Sequence, residues 1–294
     1  MQVGIIGLGI MGRPMALNVM RGGHTLKVWA RRPESARPLV DAGARIVDSP
    51  AELAACVDIL VTMVADAPDV HAVMLGEEGV ASGARPGLVA VDMSTILPAA
   101  ARRIGEELQV HGVDFLDAPV SGGEPGAIAG TLSIMVGGTE TAFAKARPVL
   151  ESMGRNIVHV GPSGAGQVAK AANQILTGVG VLAVAEALNF ARCNGADPAK
   201  VREAMLGGSA ASRVLENHGQ RMLDRNFTPG FKSWMHQKDM NIVMQCAHER
   251  GIASPAAAVA AQMFNAMVGA GLGEADSVAM LKLLEGLSSA SPLP

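Results

Sequence analysis

The sequence contains no tyrosine, and aromatic residues of all kinds make up only 3%. Little surface is therefore left for stacking on bases or sugar rings. With a formal net charge of -3, the chain also lacks the basic surplus that would draw nucleic acid or an anionic membrane, and neither is expected as a partner. Cysteine is scarce: Cys56, Cys193 and Cys246 are 3 in all and lie far apart. They form no CxxC pair, no Cys/His metal spacing and no even-numbered disulfide framework, so no metal is expected. The thiols read as buried groups in a reducing cytoplasm. A basic leader is also missing, because the first apolar run is already a glycine motif; no signal peptide is expected. The longest apolar stretch, Ile175 to Ala191, is interrupted by Glu186 and Asn189, and it reads as a buried helix of a soluble protein rather than a membrane span.

Apolar content, by contrast, is plentiful. The chain has 294 residues at 49% hydrophobic, including 17 methionines suited to filling core gaps. Up to about Val160, short β-branched runs alternate with helical stretches: Val3-Ile6, Leu26-Trp29, Ile59-Val64, Leu88-Asp92, Val113-Leu116, Leu132-Val136 and Ile157-Val160 read as strands. This alternation predicts an α/β fold with a doubly wound, Rossmann-type parallel sheet. After Gly161 the strand signals stop and helical patterns follow. They run over Gly164 to Asn194, from Asp197-Pro198 onward, and over Phe231 to Arg250, Pro255 to Gly269 and Asp276 to Leu287. The expected division is a dinucleotide-binding domain over 1–161, an all-helical domain over 162–288 and a disordered tail over 289–294.

Gly7-Leu8-Gly9-Ile10-Met11-Gly12 follows the first strand directly and opens a helix with Pro14 in its first turn. A lone GxGxxG is weak, but strand before and helix after is the context in which it holds a dinucleotide. The first glycine permits the turn, the second lets backbone approach the pyrophosphate, and the third lets helix and strand pack closely. The second strand ends in Trp29-Ala30-Arg31-Arg32. An NAD site usually places a carboxylate there; two arginines can instead pair with a 2′-phosphate, which favours NADP over NAD, or can form a plain solvated turn.

Lys170, Asn173 and Gln174 share one helical face at i, i+3 and i+4, among Ala169, Ala171 and Ala172. A lysine desolvated in such company suits acid–base work, while a solvated lysine near a helix start is the plain alternative. Ser121-Gly122-Gly123, after a strand, can present successive N–H groups to a carboxylate or be a surface loop. Asp92-Met93-Ser94-Thr95 closes a strand at the sheet edge where ligands bind in such folds. Lys238-Asp239, taken alone, is a surface ion pair.

Taken together, these segments resemble the β-hydroxyacid dehydrogenase family, which includes 3-hydroxyisobutyrate dehydrogenases and tartronate semialdehyde (2-hydroxy-3-oxopropionate) reductases. The resemblance covers nearly the whole chain. Val3 to Gly12 looks like the cofactor signature, Asp117 to Gly123 the substrate signature, Gly164 to Gln174 the catalytic signature and Lys238-Asp239 the late lysine. It implies Lys170 as the acid–base residue and Ser121, Gly122, Gly123, Asn173 and Gln174 as substrate contacts. It implies Met63, Val64, Thr95 and Lys238 around the cofactor, together with the glycine loop. It also implies a homodimer or homotetramer. Ser121 to Ala127 with Gly130 to Met135, and Met222 to Phe231, look closest to the tartronate semialdehyde branch. That branch implies reduction of tartronate semialdehyde to D-glycerate, with 3-hydroxyisobutyrate, succinic semialdehyde or glyoxylate as the rival substrates for the same chemistry. Ala30 departs from the Asn or Asp frequent before the arginine, which leaves cofactor choice open. A cofactor-binding scaffold without turnover, or a Schiff base on Lys170, are the alternatives from other classes.

Overall fold

The computed structural model describes residues 1–288, so the expected tail 289–294 lies outside the described residues. Internal contacts divide the chain into two compact units, Met1 to Lys170 and the residues from Ala171 onward.

The first unit is built on a nine-stranded sheet: β1 (Gln2–Ile6), β2 (Thr25–Trp29), β3 (Arg45–Ile46), β4 (Ile59–Thr62), β5 (Val89–Asp92), β6 (Asp114–Asp117), β7 (Val120–Ser121), β8 (Leu132–Gly137) and β9 (Gly154–Gly161). The strands run in the order β3-β2-β1-β4-β5-β6-β8-β7, with β9 also paired to β8. From β3 through β6 every pairing is parallel. Beyond β6 the sheet turns mixed. β6 and β7 lie along β8 antiparallel and in one register, with Asp117 opposite Gly137, Val120 opposite Ile134 and Ser121 opposite Ser133. Pro119 interrupts the two segments, and its carbonyl still accepts from Met135 N at 3.0 Å. Only the short helix Gly123–Ala129 links β7 to β8. That link is too short for the crossover of about a dozen residues that parallel pairing demands. β3 and β7, two residues each, are too short to register as periodic patterns and were not expected.

Alternation along the strands divides the core between the two sheet faces. Val3, Ile5, Val28, Val61, Val89, Val91 and Leu116 enter one cluster, whereas Ile6, Leu60, Ala90 and Phe115 enter the other. Burial on both faces is why these strands read as continuous apolar runs.

The second unit is helical. It takes the long helix Ala165–Cys193 from Ala171 onward, followed by Pro198–Leu206, Gly219–Leu223, Ser233–Arg250, Pro255–Gly269 and Met280–Gly286. Asp197 caps as its sequence predicts, its side chain accepting from Ala199 N at 2.8 Å ahead of Pro198. Gly251 ends Ser233–Arg250 at φ +64°. Val181, Ala185, Leu188, Met240, Phe264, Met267 and Met280 form its core, in line with methionine as a core filler. His236 is wholly buried, its ring 4.1 Å from that of Phe264. The long helix meets the length and composition of a membrane span, and half of its most apolar window is buried. Leu176 and Phe190 stay exposed, so the expected buried helix is buried on one face only. The cysteines correct another expectation: Cys56 and Cys246 are half-buried and Cys193 is exposed, because Cys56 and Cys193 sit at helix ends rather than on core faces.

Candidate active site

The glycine loop shows why each of its glycines is needed. Gly7 lies at φ +94°, and a Cβ there would fall 2.1 Å from the Met63 carbonyl oxygen. A Cβ on Gly12, the first residue of helix Gly12–Arg21, would fall 1.8 Å from Gly7 O. At Gly9 the same test meets nothing within 4 Å. Two glycines thus close the turn onto protein, and the middle one leaves backbone open at a helix start. That arrangement fits a dinucleotide pyrophosphate, which needs close approach to N–H groups at the positive end of a helix. Leu8 is buried, Ile10 exposed and Met11 half-buried, so the loop presents a mainly backbone surface. Met63 and Val64, half-buried, follow β4 directly beside it. Arg31 and Arg32 are exposed after β2, and Arg31 makes a long ion pair with Asp69 at 3.7 Å.

A row of polar residues crosses the carboxyl ends of the central strands. Thr62, Asp92 and Asp117 share one register position on β4, β5 and β6. All are fully buried. Thr62 Oγ1 donates to Asp92 Oδ1 at 2.7 Å, Ser94 N donates to the same oxygen at 3.2 Å, and Ser94 Oγ accepts from Val64 N at 2.9 Å. Desolvation by burial outweighs these bonds and pushes the Asp92 carboxyl up to about 6. Burial raises Asp117 too, against four backbone N–H donors that favour its ionised form. Thr95 follows on the same edge, half-buried.

Asp117 carries the next link. Its carboxylate accepts from Gly164 N at 2.7 Å and Gln167 N at 2.8 Å, and so caps the helix Ala165–Cys193 from a strand in the sheet. In the second turn of that helix, Lys170 is 7% exposed and its Nζ donates to Val120 O at 2.8 Å. The lysine is therefore buried against β7, next to Ser121 in sequence, rather than solvated. Gly122 and Gly123 follow at φ +139° and +60° and open the helix Gly123–Ala129, so this segment is a strand end and helix start rather than a loose loop.

The remaining expected residues lie in the second unit and are joined there. Asn173 Nδ2 donates to Gln174 Oε1 at 2.8 Å, Gln174 Nε2 donates to Asp239 Oδ2 at 2.8 Å, and Lys238 Nζ is 3.2 Å from Asp239 Oδ1. The surface ion pair expected of Lys238-Asp239 is corrected: the side chains are 16% and 3% exposed, because Asp239 turns inward to meet Gln174. Sequence reasoning gave no role to Thr62, Asp239 or Gln167. Thr62 carried no signal, Asp239 sat beside a noted lysine, and Gln167 lay inside the noted Gly164–Gln174 segment.

Comparison with known proteins matches residues 2–161 to the NAD binding domain of 6-phosphogluconate dehydrogenase. Residues 164–284 match the NAD-binding region of NADP-dependent 3-hydroxyisobutyrate dehydrogenase. The chain is 45% identical to the 2-hydroxy-3-oxopropionate reductase of Escherichia coli strain K12, over 97% of each chain. The chain belongs to the NAD(P)-dependent β-hydroxyacid dehydrogenase family. It is also 37% identical to the 3-hydroxyisobutyrate dehydrogenase of Pseudomonas aeruginosa, over 90% of this chain and 91% of that one. Among solved structures, the 3-hydroxyisobutyrate dehydrogenase of Salmonella typhimurium superposes with a TM-score of 0.87 at 33% identity, covering 96% of this chain and 99% of that one. As a member of this family the chain is an oxidoreductase that binds NAD(P), and its sheet-plus-helices architecture is the family's.

Proposed function

We propose that this dehydrogenase reduces tartronate semialdehyde to D-glycerate with NADPH, and that Lys170 is its acid–base residue. The observation that carries the mechanism is the burial of Lys170 against the Val120 carbonyl, next to the Ser121-Gly122-Gly123 turn. The substrate rests on the similarity to the Escherichia coli reductase. A dinucleotide held at its pyrophosphate by the glycine loop would supply the hydride from its nicotinamide. Lys170 as ammonium stabilises the alkoxide developing on the substrate carbonyl oxygen and gives it a proton; in the oxidative direction the neutral amine takes that proton back. Ser121 and the N–H groups of Gly122 and Gly123 hold the substrate carboxylate, with Asn173 and Gln174 as further substrate contacts. Met63, Val64, Thr95 and Lys238 complete the cofactor's surroundings.

NADP is favoured over NAD because β2 ends without a carboxylate and is followed by exposed Arg31 and Arg32. A soluble cytoplasmic enzyme, a homodimer or homotetramer, is the accompanying proposal. The oligomer is supported by Leu176 and Phe190, 77% and 71% exposed on the long helix, where a second copy would remove them from water. Light scattering on the purified chain reads the oligomer directly.

A specific observation keeps a second substrate in view: the similarity to 3-hydroxyisobutyrate dehydrogenase extends over 90% of this chain. A pocket discriminates a methylene by only about 1–3 kcal/mol. Steady-state kcat/KM for tartronate semialdehyde, succinic semialdehyde and glyoxylate, each with NADPH and NADH, and for 3-hydroxyisobutyrate in the oxidative direction with NADP+ and NAD+, separates them. Highest efficiency on tartronate semialdehyde with NADPH is expected, and a clear preference for another acid would overturn the substrate assignment.

A further inference from the structure

We infer that Gln167 is a positioning residue for Lys170: it staples the first turn of the lysine's helix to the segment after β5. This rests on Lys170 being the acid–base group proposed above. Gln167 is 1% exposed, yet both ends of its amide are engaged. Oε1 accepts from Ile96 N at 3.1 Å, and Nε2 donates to Ser94 O at 2.8 Å. Its own N–H is held by Asp117 Oδ2. One residue therefore joins the loop carrying Thr95, the end of β6 and the helix on which Lys170 sits one turn further on.

The steric surroundings reinforce the staple. A Cβ on Gly166 would fall 2.4 Å from both Asp117 O and Met135 O, so the helix start is seated directly on sheet backbone. Lys170 Nζ donates to the Val120 carbonyl on β7, and its direction depends on the rotation and depth of the helix's first turn. A shift of about 1 Å in such a group costs on the order of a hundredfold in rate.

The chemistry of the amide makes the role testable. Gln167 must accept at one end and donate at the other. Methionine does neither, and an ionised glutamate only accepts, setting its second oxygen against the Ser94 carbonyl. A protonated glutamate does both. The groups facing the site are Asp117 on β6, Asp92 on β5 two residues before Ser94, Arg102 of helix Pro98–Val110 beside Gly164, and Lys170 on the same helix. Burial and the two aspartates favour the protonated acid in Gln167→Glu, against the cations Arg102 and Lys170, which favour the ionised form.

The test measures kcat, KM and NADPH affinity by fluorescence titration for Gln167→Met and Gln167→Glu, each relative to the unmodified enzyme at the same pH, with thermal melts alongside. Gln167→Met is expected to lose about a hundredfold in kcat at every pH, with NADPH affinity within about threefold. Gln167→Glu is expected to match that loss near about pH 8 and to recover at least about tenfold of it near about pH 6, as the acid regains its donor. A residue that only supports the fold would lower the melting temperature without that pH-dependent recovery. Unchanged kcat in Gln167→Met, or a Gln167→Glu kcat reduced by the same factor near about pH 6 as near about pH 8, would overturn the inference. Should Gln167→Met not fold, the Gln167→Glu profile decides. Lys170→Ala run in parallel separates the two layers. Normal turnover there removes the lysine assignment, whereas its loss together with normal Gln167→Met overturns only the staple.

Discussion

Gly12 packs so closely over Gly7 that a Cβ on the first would lie 1.8 Å from the carbonyl oxygen of the second. Gly7 is itself locked onto Met63 at a backbone angle that side chains avoid. Gly9, between them, faces open space. Gly7 and Gly9 should therefore fail differently. Gly7→Ala is expected to destabilise the fold, visible as a lowered melting temperature without any cofactor. Gly9→Ala should melt like the unmodified protein yet lose at least about tenfold in NAD(P)H affinity, since the methyl occupies space that a pyrophosphate needs. Equal cofactor affinity in Gly9→Ala, by isothermal titration, would show that the pyrophosphate lies elsewhere.

Lys170→Ala is the direct check on the proposed acid–base group. Positioned proton transfer contributes about 10²–10⁴ in rate, so kcat should fall by that order. NADPH affinity should hold within a few fold, because the role proposed for Lys170 is on the substrate oxygen and the glycine loop is left intact. A fall in affinity with kcat retained would move Lys170 from chemistry to binding.

Arg31 and Arg32 discriminate between the cofactors only if they meet a 2′-phosphate. Charge-assisted bonds of this kind contribute about 1.5–3 kcal/mol, or roughly tenfold and more in affinity. The double variant Arg31→Ala/Arg32→Ala should raise KM for NADPH by at least about tenfold and leave NADH nearly unchanged. Equal losses with both cofactors would leave the arginines as a solvated turn. The Arg31–Asp69 pair, at 3.7 Å and largely exposed, is too weak to change this expectation.

What could be read beforehand was local in sequence. The glycine loop, the Asp197 cap and the Lys170, Asn173 and Gln174 spacing each occupy a single stretch of chain, where local sterics and helical period decide the outcome. What escaped depends on register between distant segments. Thr62 meets Asp92 only because β4 and β5 pair in one particular alignment. Asp117 caps a helix by accepting from Gly164 N, 47 residues later, and Gln174 finds Asp239 across 65 residues. The antiparallel return of β8 was missed for a related reason: β7 is two residues long, and Pro119 hides its continuity with β6.

Asp92 supplies the last prediction, on stability against pH. It is fully buried, with its carboxyl pushed from an ordinary 3.8 to about 6, chiefly by desolvation and in smaller part by Asp117. Oδ1 takes the bonds from Thr62 and Ser94, while Oδ2 meets no donor among the described residues. The folded protein therefore holds this proton through a range in which the unfolded chain has already released it. Stability from Asp92 is fully present below the unfolded value near 3.8 and is lost as pH rises through about 6, flat thereafter. A difference of this size corresponds to about 3 kcal/mol, to order of magnitude. Asp92→Asn keeps the shape but removes the titration. Urea unfolding of both proteins at intervals across that range should show the unmodified protein gaining on Asp92→Asn as pH falls, by a few kcal/mol in total. The Asp117 titration occurs in both proteins and cancels to first order in the difference. A difference that stays constant with pH would mean that Asp92 is ionised throughout and that its bonds from Thr62 and Ser94 outweigh burial.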